Sequence, residues 1–79
     1  MYEIKKSTMK NKKYMAVFSN GKTVHFGDPS YQQFKDKTDL KLYSHLDHGD
    51  EQRKKSYYAR HGKVAEKYTA KYFSHKFLW

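Results

Sequence analysis

Seventy-nine residues, Met1 to Trp79, make a single small domain, and the absence of cysteine excludes a disulfide or thiolate metal staple. Only 37% of the residues are apolar while 18% are aromatic, so the core has to come from few, large side chains, each able to bury ~150–250 Å². Seventeen Lys and Arg against eight Asp and Glu give a net charge of +9, which favours a polyanionic partner: nucleic acid, anionic lipid or an acidic protein surface. No apolar run approaches the ~20 residues of a membrane span and no secretory leader opens the chain, so a soluble, intracellular protein is expected.

Tyr2 and Ile4 alternate with Glu3 and Lys5, the pattern of a strand across Met1 to Ser7. Met9-Lys10-Asn11-Lys12 then joins it to the clearest local signal in the chain, the apolar-alternating segments on either side of Asn20-Gly21. A two-residue type I′ turn there pairs Phe18 with Thr23, Val17 with Val24, Ala16 with His25 and Met15 with Phe26. Met15, Val17, Val24 and Phe26 then share one wholly apolar face, the expected core face. Tyr14, Ala16, Phe18, Thr23 and His25 share the other. Lys5 and Lys6 on an edge strand discourage edge-to-edge pairing.

Asp28-Pro29 reads as an N-cap followed by Pro at the first helical position, predicting a short helix to about Lys37 with Tyr31 and Phe34 on one side. Thr38 to Gly49 fits neither period and is expected to be an ordered loop with one helical turn. Asp50 caps the best helix, Glu51 to His61, which Gly62 ends; Glu51 and Arg60-His61 both complement its dipole. The tail, ending in Phe77-Leu78-Trp79, is expected to form a last helix or turn and to cover the open hairpin face, Tyr14 and Phe18 included. The expected class is α+β: an antiparallel hairpin or three-stranded meander with two to three short helices packed on one face.

His45, Asp47, His48 and Asp50 are the densest group of possible ligands, but their spacing matches no common zinc pattern, and Asp50 already has a capping role. No metal, cofactor or catalytic residue is assigned. His25 and His61 read as structural hydrogen-bonding residues. The basic helix is the strongest functional candidate: Arg53, Tyr57 and Arg60 share a face, with Lys54 beside them. Basic side chains interleaved with tyrosine suit phosphate contacts and, on single strands, base stacking. With the lysines of the first turn, the candidate nucleic-acid-binding set is Lys10, Lys12, Lys13, Arg53, Lys54, Tyr57 and Arg60.

Lys22 to Gly27 (KTVHFG), Tyr31, Asp50 to His61 (DEQRKKSYYARH) and Tyr72 to Trp79 (YFSHKFLW) occur in a fixed order that resembles a group of short proteins. These are encoded by large double-stranded DNA viruses of the mimivirus and phycodnavirus type. Glu51 departs from the Pro that often follows the capping Asp in that group. The group carries no established activity, so the resemblance implies a viral origin, in the infected cell or the virion, and brings no catalytic residues. The expected function is non-specific binding of DNA or RNA through phosphate contacts. The alternative is a minor capsid or cement protein that binds other viral proteins, without enzymatic activity in either case.

Overall fold

The computed structural model describes all 79 residues. Strands β1 (Tyr2–Lys6), β2 (Tyr14–Phe18) and β3 (Thr23–Phe26) form an antiparallel sheet in the order β1-β2-β3. Helices α1 (Glu51–His61) and α2 (Ala70–Phe77) follow, with a short 3₁₀ turn at Ser44–Leu46 before them. The fold is α+β, a three-stranded meander with two helices. Both cap signals act as their chemistry requires. The Asp50 carboxylate accepts the N–H groups of Gln52 and Arg53, and Gly62, at φ 80°, closes α1 through its N–H on the Tyr58 carbonyl. Thr69 caps α2 by accepting the Tyr72 N–H.

The hairpin register differs from the expected one by a single residue. Tyr14 pairs with Phe26, Met15 with His25, Ala16 with Val24 and Val17 with Thr23. The turn therefore holds three residues, Ser19-Asn20-Gly21, closed by Gly21 N–H on the Phe18 carbonyl and by Phe18 N–H on Lys22. Gly21 takes the left-handed position at φ 91°, and the Asn20 side chain accepts the Lys22 N–H. Asn-Gly serves this turn as well as the two-residue one, so burial decides between them. The slip places Tyr14, Ala16 and Phe18 on the same face as Val24 and Phe26, which corrects the expected core face of Met15, Val17, Val24 and Phe26. β1 adds Tyr2 and Ile4 to that face through its pairing with Phe18 and Ala16.

α2 lies over this face. Phe73 and Leu78 are fully buried with Tyr14, Ala16 and Phe26, and Tyr2, Ile4, Phe18, Val24, Tyr43, Tyr72, Phe77 and Trp79 pack around them. Phe73 stacks on Phe26 at 5.5 Å and meets the edge of Tyr2 at 5.1 Å. The tail thus covers Tyr14 and Phe18 as expected, with Phe73 as a further element of the cover. Aromatic pairs of this kind contribute roughly 0.5–1.5 kcal/mol each beyond their buried area. Gly27 is needed where the sheet ends. It has φ 79°, and a Cβ there would lie 2.9 Å from Leu78 Cδ1 and 3.1 Å from Lys13 Cβ.

The helix expected after Asp28 does not form. The Asp28 carboxylate accepts the Ser30 N–H and hydroxyl, so it holds a tight turn in place of capping a helix. Beyond it the backbone is taken by distant partners. The Gln33 N–H donates to the Leu46 carbonyl and the Gln33 carbonyl accepts the His48 N–H, while the backbone N–H groups of Lys35 and Lys37 donate to the Leu78 and Phe77 carbonyls. Helical propensity is overridden because Gln33, Asp36 and Thr38, all fully buried, need acceptors and donors that a local helix cannot supply.

Those three side chains build a polar core beside the aromatic one. Lys13, 2% exposed, donates from Nζ to the Tyr31 carbonyl and to Gln33 Oε1. Gln33 Nε2 donates to the Tyr43 carbonyl and to Asp47 Oδ1. Asp36 Oδ2 accepts the Tyr14 hydroxyl and the Tyr43 N–H, and Oδ1 accepts the N–H and hydroxyl of Thr38. Burial pushes the Asp36 carboxyl up, but these donors outweigh it and hold the group below its ordinary range. The loop from Gly27 to Gly49 is ordered by this network with hardly any regular secondary structure.

Candidate nucleic-acid interface

α1 presents Arg53, Ser56, Tyr57 and Arg60 on one side, at the spacing that brings residues three and four apart onto a common helix face. That side meets the start of α2 (Ala70, Lys71, Ser74), the end of the chain (Leu78, Trp79), and the end of the hairpin with its following turn (Lys12, Gly27, Asp28, Tyr31). Between them runs an open groove of about 820 Å³, within the range of ligand clefts. Phe26, Leu78 and Tyr57 supply buried apolar lining, and Lys12, Arg53, Arg60, His61 and Lys71 supply basic groups. Arg53 also reaches across to Gln32, donating from Nη1 at 2.8 Å, which ties α1 to the turn after Asp28.

The groove's cations are unpaired. The only ion pair in the molecule joins Lys5 to Glu3, at 3.7 Å on the surface of β1. Asp28 and Asp50 line the groove as well, but each is engaged by nearby N–H groups: Asp28 by Ser30, and Asp50 by Gln52 and Arg53. Arg53, Arg60 and Lys71 are exposed and Lys12 is half-buried.

Of the residues named from the sequence, the structure brings Lys12, Arg53 and Arg60 together in this groove. Lys13 and Tyr57 line it but are not available as expected. Lys13 is buried in the polar core, and burial lowers its pKa to about 8 against the opposing pull of Asp28, Asp36 and Asp47. A phosphate contact would require its ammonium to leave that buried position. Tyr57 is 8% exposed, and its ring is stacked on Trp79 at 4.3 Å and nearly parallel, so it offers no free face to a base. Its hydroxyl is 3.0 Å from His75 Nδ1, and burial raises its pKa to about 12.

Lys10 stands on the exposed β1–β2 turn, outside the groove. Lys54 lies on the neighbouring stripe of α1 with its Nζ 4.5 Å from the Phe34 ring centre. Sequence reasoning missed Lys71, Tyr31 and Trp79. Lys71 did carry a signal: a cation in the first turn of a helix opposes the dipole and needs another reason to be there. Trp79 reaches the groove only because the chain folds back onto α1, which no local pattern announces.

His25, His48 and His75 make structural hydrogen bonds. His48 Nδ1 accepts the Asp50 N–H at 2.9 Å, leaving Nε2 buried without a partner, and burial together with nearby Arg53 lowers its pKa. Asp47 is held by Gln33 and by the Asp36 N–H, and Asp50 by its cap. No three His, Asp or Glu side chains are placed to hold a metal ion. His25 bonds to the Ser7 hydroxyl at 2.7 Å. His75 bridges the Tyr57 hydroxyl and the Gly62 carbonyl, joining α2 to both face and end of α1.

No curated protein and no solved structure matches the chain. A family model does match it over residues 2–61, which takes in the sheet, the polar core and the whole of α1. The chain belongs to that family, the family of unknown function DUF5754.

Proposed function

We propose that the protein binds nucleic acid non-specifically, by phosphate contacts made from this groove, and acts as a binding protein rather than an enzyme. One observation carries the reading: Lys12, Arg53, Arg60 and Lys71 come from three separate parts of the chain to one open groove, and none is paired with a carboxylate. An unpaired cation cluster repels itself, and a polyanion relieves that repulsion while releasing its own counterions. Nothing in the groove resembles a base-reading helix or finger, so the contacts are to the backbone. In the viral setting that the sequence resemblance implies, such a protein would coat genome phosphates in the infected cell and be packaged with them.

The test is a fluorescence-anisotropy titration against duplex DNA and single-stranded RNA at several salt concentrations. Four phosphate contacts give a log–log slope of about −3.6 on duplex, so affinity falls about 150-fold between 50 and 200 mM salt. Arg60→Gln is expected to make that slope shallower by about 0.9. Salt-insensitive or absent binding overturns the reading. Co-purification with genome-free capsids would then support the alternative, a minor capsid protein whose basic face meets acidic capsid surface.

A further inference from the structure

Tyr31 is the most exposed aromatic side chain in the molecule, with 69% of its surface open. Its backbone, in contrast, is pinned. The Tyr31 N–H donates to the Asp28 carbonyl, and its own carbonyl accepts the buried Nζ of Lys13 at 2.9 Å. A ring displayed on a fixed backbone stabilises little in the fold, since it leaves most of its apolar area in water. It does keep a π-face ready at no ordering cost to its main chain. Tyr31 lines the basic groove together with Lys12, Arg53 and the half-buried Trp79.

Bases within a duplex are already stacked on both sides, whereas an unpaired base offers its face to an aromatic side chain. An unpaired strand can turn a base into the groove, which a duplex, with its bases paired inside, cannot do. We infer that the groove holds single-stranded nucleic acid, with an unpaired base stacked on the ring of Tyr31 and its flanking phosphates on Lys12 and Arg53. The inference rests on the phosphate-binding reading above and narrows it from nucleic acid at large to single strands.

The experiment compares the full chain with Tyr31→Ala and Tyr31→Phe on oligo(U), oligo(dT) and a duplex of matched length. Trp79, the only tryptophan, supplies a second signal from inside the groove. Tyr31→Ala is expected to lose about 5- to 150-fold in affinity for both single strands and less than about twofold for duplex, with an unchanged salt slope. Tyr31→Phe keeps the ring and is expected to bind as the parent does. Single strands quench Trp79 fluorescence more than duplex does. Tyr31→Ala binding single strands as tightly as the parent, or losing equally on duplex, overturns the inference and leaves the phosphate reading standing. A parent chain that binds none of the three overturns both.

Discussion

Replacing Asp36 by alanine removes one buried carboxylate and leaves up to four donors facing nothing. The Tyr14 hydroxyl, the Tyr43 N–H, and the N–H and hydroxyl of Thr38 all converge on it. A buried donor without a partner costs about 1–3 kcal/mol. The Thr38 hydroxyl can turn to another acceptor and the Tyr14 hydroxyl can rotate, so two or three orphans remain, for a loss of about 3–5 kcal/mol. Against the ~5 kcal/mol at the low end for natural domains, that loss leaves about 0–2 kcal/mol, so roughly 3–50% of the population is unfolded. Asp36→Asn keeps the shape and one acceptor, and is expected to cost about 1–2 kcal/mol.

Urea unfolding followed by Trp79 fluorescence reads both variants, because the indole is stacked on Tyr57 only in the folded chain. Acid provides a second arm. The folded Asp36 carboxyl sits below its unfolded range, so its stabilisation is present above the unfolded pKa and is lost as pH falls through the folded one. Asp36→Asn should therefore flatten the acid limb of the stability curve. A loss of less than about 1 kcal/mol in Asp36→Ala would refute the view that this network, rather than local propensity, orders residues 27–49.

Three further outcomes follow from the same geometry. Gly27→Ala is expected to cost about 2 kcal/mol by thermal or urea unfolding, since a left-handed backbone and a 2.9 Å contact with Leu78 act together. Lys13 is charged more readily unfolded than folded. Its burial therefore opposes folding at neutral pH, and stability rises as pH climbs from about 8 toward the unfolded lysine range; Lys13→Met should remove that rise in urea titrations. Lys71→Gln is expected to make the salt slope on duplex shallower by about 0.9, while Lys10→Gln, outside the groove, leaves it unchanged; the reverse pattern would point to the β1–β2 turn as the contact surface.

The limits of α1, from Asp50 to Gly62, were written in the sequence because a cap, a first-turn acid, last-turn bases and a terminating glycine are all local chemistry. So was the antiparallel hairpin, from alternation and the Asn-Gly turn, with the third strand as one of two options that the structure decides. The sequence likewise named Lys12, Arg53 and Arg60, since helix periodicity and charge need no knowledge of distant neighbours. What it left open was every choice between two locally acceptable states. Asn20-Gly21 accepts either a two- or a three-residue turn, and only the aromatic cover supplied by α2 selects the register that buries Tyr14 and Ala16.

Asp28-Pro29 is as good a turn as a helix start. Only the partners waiting at Leu46, Phe77 and Leu78 draw residues 33–37 away from a helix. The same holds for single side chains. Lys13 and Tyr57 carry the chemistry of a phosphate and base contact, but tertiary packing turns one into the polar core and the other onto Trp79. Local patterns fix which elements form, because their energies are local. Which face is buried, and which cations stay unpaired, depends on contacts made far along the chain.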